Sequence, residues 1–135
     1  MDILKAIDEA CEGRHFQEFR DINELPEDSG RRVLTTGGHY GYLKIAEGCD
    51  KHCTYCIIPS LRGRFRSVPQ ERLIAQAEHM AEQGVKELIL VAQETTMYGT
   101  DLYGKKTLHL LMKELCKIKG NSLDPCSLLL SGRNL

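Results

Sequence analysis

The sequence predicts an α/β chain in which strand, helix, strand and helix follow one another with short connections, the βαβ order of a parallel sheet or barrel. Three observations carry that expectation. Residues 85–92 contain an unbroken apolar run, Leu88-Ile89-Leu90-Val91, as in a strand of a parallel sheet covered on both faces. Segments 69–83 and 107–119 repeat apolar residues at helical spacing, and Gly84 and Gly120 stand just past their ends. Residues 40–47 read as a strand that Gly48 ends, directly before three cysteines within eight positions.

The elements follow in order. Ile3, Leu4, Ile7, Ala10 and Cys11 share one helical face, so residues 2–12 are expected to form a short amphipathic helix that stops near Gly13. Residues 14–38 are polar and broken by Pro26, Gly30, Gly37 and Gly38, which suits a linker with one short strand at 32–35. After the cysteines, residues 57–68 read as a basic loop with Arg62, Arg64 and Arg66. In the helix at 69–83 the apolar stripe is Leu73, Ile74, Ala77, Met80 and Ala81. Ser67 and Gln70 are spaced as a capping box. Val68 precedes Pro69, however, and is biased away from helical angles, which favours a start at Pro69. A loop with Gly99 and Gly104 leads to the helix at 107–119, whose buried face is Leu108, Leu111, Leu115 and Ile118. Two βα units leave an open sheet edge and make only part of a barrel. Residues 121–135 fit poorly: a third strand would have to start among Pro125 and several loop-formers, and 127–135 have no clear period. The expected organisation is therefore a short helix and linker at 1–37, a partial α/β domain at 38–120 and an atypical tail at 121–135.

Of the 135 residues, 41% are hydrophobic and 27% charged, as in ordinary globular chains. A formal net charge of -1 gives no basic field that would argue for nucleic acid. No run is long and apolar enough to span a bilayer, and the first residues lack a signal-peptide layout, so the expectation is a cytoplasmic protein without membrane contact. Six cysteines are the unusual count. In a reducing compartment clustered cysteines more often bind metal or do redox chemistry than form disulfides. Cys11 and Cys116 lie at or beside apolar helical stripes and are read as small buried hydrophobes; Cys126 is read as incidental. His15, His39, His52, His79 and His109 form no ligand constellation.

The chemistry concentrates in Gly48-Cys49-Asp50-Lys51-His52-Cys53-Thr54-Tyr55-Cys56, a C-x3-C-x2-C loop directly after a strand. Soft thiolates from one short loop suit an iron–sulfur cluster, and three of them leave one iron open to a small molecule. Two rival readings are a zinc site and a redox pair at Cys53 and Cys56. Zinc prefers four ligands, and His52 is adjacent to Cys53, so both can hardly point at one ion.

This loop, with an aromatic residue before its last cysteine, resembles the signature of the radical S-adenosylmethionine superfamily. The flanking residues narrow the resemblance. Tyr42-Leu43-Lys44-Ile45-Ala46-Glu47-Gly48-Cys49, Cys53-Thr54-Tyr55-Cys56-Ile57-Ile58-Pro59-Ser60-Leu61-Arg62-Gly63-Arg64 and Gly84-Val85-Lys86-Glu87-Leu88-Ile89-Leu90-Val91-Ala92-Gln93 closely resemble the methylthiotransferases. Ile58-Pro59-Ser60-Leu61-Arg62-Gly63 and Gln93-Glu94-Thr95-Thr96-Met97-Tyr98-Gly99-Thr100-Asp101-Leu102-Tyr103-Gly104 resemble the branch that acts on ribosomal protein uS12 more than the branch that acts on tRNA adenosine. The resemblance covers about residues 38–120. It departs at Glu94, where the branch usually has aspartate, and over 121–135.

The resemblance implies a partial TIM-like barrel with Cys49, Cys53 and Cys56 as ligands of a 4Fe–4S cluster. It implies S-adenosylmethionine on the open iron, one-electron cleavage to a 5′-deoxyadenosyl radical, and hydrogen abstraction from the β-carbon of an aspartate of uS12. A second 4Fe–4S cluster installs the methylthio group in the family, and its ligands are absent from this sequence. Residues 1–37 would be the end of the preceding domain, and the chain alone would not carry out the full reaction. Tyr55 would lie near the adenine, and Gln93 and Glu94, at a strand end where barrel ligands bind, would meet the methionine portion. Glu94 and Gln93 can equally cap a loop, and Tyr55 can simply shield the cysteines. Arg62, Arg64 and Arg66 are candidates to contact uS12 or the small ribosomal subunit. The electron would come from a donor such as flavodoxin or ferredoxin. The alternatives kept open are the tRNA-modifying branch and a non-enzymatic iron–sulfur or zinc module.

Overall fold

The computed structural model describes residues 3–19, 21–25 and 38–118, and the backbone of 128–131. In chain order its elements are α1 (Ile3–Cys11), β1 (Tyr40–Lys44), β2 (Ala46–Glu47), α2 (Ile58–Arg62), β3 (Arg66–Ser67), α3 (Gln70–Glu82), β4 (Glu87–Val91), a 3-10 turn at Thr95–Met97, α4 (Thr100–Tyr103), α5 (Leu108–Leu115) and β5 (Leu128–Ser131). The strand expected at 32–35 and most of the tail lie outside the described residues.

β1 and β4 pair in parallel, from Tyr40 opposite Glu87 to Lys44 opposite Val91, with α3 as the crossover between them. β5 joins the other edge of β4, also parallel, with Leu88 opposite Leu128. The sheet order is β1-β4-β5. A parallel strand therefore occupies part of the tail in which no periodicity marks one. The barrel expectation is met as far as a small α/β unit with parallel strands.

The segment expected as one strand at 40–47 is two. Ile45 still donates to the Val91 carbonyl at 2.9 Å, but its own carbonyl accepts from Val68 at 2.9 Å. Ala46–Glu47 then leave the sheet and pair antiparallel with Arg66–Ser67. The chain turns aside because the return of the cysteine loop offers a second pairing partner. The segment expected as a plain basic loop likewise contains α2, with Pro59 in its first turn, where a missing N–H costs nothing.

α3 starts just after Pro69, which is in the extended region at φ -53 and ψ 141. The capping box does not form, because the Ser67 hydroxyl bonds Asp101 instead. α5 is shorter at both ends than the expected helix at 107–119. α1 forms as expected, but none of its residues is buried.

The core lies between the sheet and two helices. Leu43 and Ile45 of the β1 segment and Leu88 and Leu90 of β4 pack with Leu73, Ala77 and Met80 of α3 and Leu111 and Leu115 of α5. The apolar run of β4 is thus buried on one face only: Leu88 and Leu90 are fully buried, while Glu87, Ile89 and Val91 are half-buried. Two helices, α3 and α5, cover one side of the sheet among the described residues. Leu90→Ala is expected to cost roughly 2–5 kcal/mol of stability as a core cavity. Ile89→Ala should cost less than half as much. Urea denaturation of the two variants checks this, and equal losses would mean that both faces are covered.

Candidate metal centre

The cysteine loop springs from the end of the β1 segment, at the carboxy-terminal ends of the parallel strands. Gly48 sits at φ +71, and a Cβ there would overlap the Arg64 carbonyl, so only glycine lets the chain enter the loop at this point. Cys49 donates its backbone N–H to the Gly63 carbonyl at 3.3 Å. Asp50 accepts from the Phe65 N–H at 3.0 Å, which closes the base of the loop a second time. Farther out, the Cys56 N–H reaches the Cys53 carbonyl at 3.0 Å in a tight turn.

Cys49 and Cys56 are half-buried and Cys53 is exposed; all three are free thiols. Soft donors on one loop fit an iron–sulfur centre in their chemistry. No three His, Cys, Asp or Glu side chains are gathered at metal-holding distance among the described residues. The loop therefore carries the three donors without drawing them together. Beside them is an open cleft of about 520 Å³ lined by Cys49, Asp50, His52 and Arg64 together with Ile22 and Asn23 of the linker.

The other expected residues differ in exposure and partners. Tyr55 is 75% exposed. Gln93 follows β4, and its Oε1 is buried with no hydrogen-bond partner among the described residues. Glu94 is buried and occupied: it pairs with Lys51 of the cysteine loop and caps the 3-10 turn through the Thr96 N–H and hydroxyl. The Lys51 contact, then the Thr96 hydroxyl, hold the Glu94 carboxyl below its ordinary range, and Glu94 raises the Lys51 ammonium in return.

Arg66 is folded back onto its own loop, donating to the Arg64 carbonyl at 2.6 Å and the Arg62 carbonyl at 3.1 Å. Its guanidinium thus braces the turn, while Arg62 and Arg64 are exposed. Cys11 and Cys116, expected as buried hydrophobes, are exposed as well: α1 buries none of its residues, and Cys116 stands just past the end of α5.

A further anchor is invisible to periodicity. Asp101 accepts from the backbone N–H of Ser67 at 2.7 Å and from its hydroxyl at 2.6 Å, and the Ser67 Oγ accepts from Gly99 at 2.9 Å. Ser67 is fully buried. The network ties the return of the cysteine loop to the segment that follows β4. Tyr98 reinforces it, donating to the Val68 carbonyl at 2.9 Å, and burial raises its phenol above the ordinary range. Only the spacing of Ser67 and Asp101, far apart in sequence, hides this pair from a local reading. Asp101→Ala strands two buried donors of Ser67 and is expected to cost about 2–4 kcal/mol in urea denaturation, with Asp101→Asn intermediate. A loss under about 0.5 kcal/mol for Asp101→Ala would show that the network is not an anchor.

Comparison with known proteins places this arrangement. The family described as the Radical SAM superfamily matches residues 43–135. The ribosomal protein uS12 methylthiotransferase RimO of Lachnoclostridium phytofermentans is 58% identical over 87% of this chain and 27% of its own length. The proteins of the same name from Clostridium botulinum strain Eklund 17B and Clostridium perfringens strain SM101 are 51% and 48% identical, over 87% and 89% of this chain and 27% and 26% of their own. The chain thus spans about a quarter of the length of these curated relatives. The match over most of its length, together with a three-cysteine loop at the ends of parallel strands, makes this chain a member of the radical SAM superfamily.

Proposed function

We propose that Cys49, Cys53 and Cys56 hold a 4Fe–4S cluster with one open iron, and that the whole protein is a methylthiotransferase acting on an aspartate of ribosomal protein uS12. The observation that carries this reading is the three-thiol loop standing where parallel strands end, in a chain whose named relatives are uS12 methylthiotransferases. When bound, the cluster supplies the electron that cleaves S-adenosylmethionine to a 5′-deoxyadenosyl radical. The chain's own residues bind and orient. Gln93 offers a buried, unpartnered carbonyl to a donor such as an ammonium group, which suits the methionine portion. Glu94 acts from behind the loop through Lys51, and Tyr55 closes over the adenine from its exposed position. Arg62 and Arg64 face the uS12 side of the small ribosomal subunit, and an electron donor of the flavodoxin or ferredoxin type reaches the cluster. The reading takes residues 38–120 as part of a radical-SAM barrel, 1–37 as the end of a preceding domain and 121–135 as an atypical tail. It locates the protein in the cytoplasm; no helix among the described residues is long and apolar enough to cross a membrane.

Anaerobic reconstitution with iron and sulfide tests the ligand set. Cys49→Ala, Cys53→Ala and Cys56→Ala are each expected to abolish bound iron and acid-labile sulfide. Cys11→Ser and Cys116→Ser should retain both. Stoichiometric zinc without sulfide would contradict the cluster. Assay of the full-length protein on uS12 and on tRNA tests the substrate, and methylthiolation of tRNA alone would contradict the uS12 reading.

A further inference from the structure

The turn that receives Cys49 is held from outside the loop. The Gly63 carbonyl that accepts the Cys49 N–H belongs to the same planar peptide as the Arg64 N–H, so fixing one end of that plane fixes the other. The Arg64 N–H donates to Asn23 Oδ1 at 3.1 Å. Asn23 lies in the linker, and it is itself held: its backbone N–H and Nδ2 donate to Asp21 Oδ1 at 2.9 and 3.0 Å, which turns its carbonyl toward Arg64. Gly63 makes the approach possible. It lies at φ 70 and ψ -162, a region that side chains other than glycine rarely enter. A Cβ there would come within 2.7 Å of Asn23 Oδ1 and 3.1 Å of the Ile22 carbonyl.

The remaining bonds of the turn are supplied from within the loop region. Arg66 donates to the carbonyls on either side, of Arg62 and Arg64, and the Gly63 N–H donates to Pro59 at 3.0 Å. Among the described residues, Asn23 is thus the side chain through which the linker bonds the base of the cysteine loop. Ile22 and Asn23 also line the cleft that holds Cys49 and His52.

We propose that Asn23 is a positioning residue for Cys49, acting through the Gly63–Arg64 peptide, so that the linker and the metal loop form one mechanical unit. Its consequence for the cluster rests on Cys49 being a ligand, as proposed above; the placement of the Cys49 backbone does not. The test compares the 135-residue chain with Asn23→Ala and with the charge-conserving swap Asp21→Asn/Asn23→Asp, which keeps an acceptor at position 23. In the metal-free chain, Asn23→Ala should speed hydrogen exchange of the Cys49 amide about two- to tenfold, the worth of one net hydrogen bond. The Ile45 amide, bonded to Val91, should not change, and the swap should restore Cys49 to the parental rate. After reconstitution, Asn23→Ala should lose cluster to a chelator faster than the parent by a similar factor, and the swap should not. Unchanged exchange at Cys49, an equal effect of the swap, or an increase shared equally by Ile45 would overturn the proposal. Failure of the parental chain to take up any cluster would count against the ligand reading and leave the exchange result standing as the test of Asn23.

Discussion

A loop that carries three thiols can present them together only if its base is closed, and in this chain the closure is a matter of backbone hydrogen bonds. Cys49 stands two residues beyond a short ribbon, Ala46–Glu47 against Arg66–Ser67. Its N–H reaches Gly63 across the same gap, and Asp50 receives Phe65. Gly48 permits the crossing because the Arg64 carbonyl occupies the space a side chain would need. The first thiol therefore inherits its position from the sheet, through Ile45 and its bond to Val91. Cys53 and Cys56 are set by a local turn farther out.

The second requirement is that the end of β4 meet this loop. Lys51 and Glu94 make the direct contact, but Lys51 is exposed, and ion pairs of that kind add little stability. The contact orients the loop more than it secures it. The securing interaction centres on the buried Ser67: with Asp101 and Gly99 it joins the loop's return to the chain after β4 through neutral and charge-assisted hydrogen bonds. Gln93, which follows β4, keeps a buried acceptor with no partner among the described residues.

Much of the architecture was legible in local patterns. Helical spacing located α1, α3 and α5 within a few residues, and the apolar run of 88–91 located β4. Three features were not legible, for separate reasons. Residues 40–47 look continuous because the break after Lys44 is imposed by a partner, β3, that is not adjacent in sequence. The burial of β4 on one face only follows from which helices cover the sheet, which an apolar run does not encode. β5 has leucines without alternation, so its pairing with β4 leaves no periodic mark. At the site, the cysteine spacing named the candidate donors, while the roles of Asp101, Asn23 and the folded-back Arg66 depend on contacts between separate segments. Arginine in a polar loop reads as a free charge, and here one of the three is a brace for its own backbone.

The central claim is that Cys49, Cys53 and Cys56 carry a cluster with an iron left open to S-adenosylmethionine. Low-temperature EPR of the reconstituted, reduced chain, recorded with and without S-adenosylmethionine, addresses it most directly. The account predicts a reduced 4Fe–4S signal whose g-values shift when S-adenosylmethionine is added. A cluster signal that is indifferent to S-adenosylmethionine would contradict the open iron and the pocket assigned beside it.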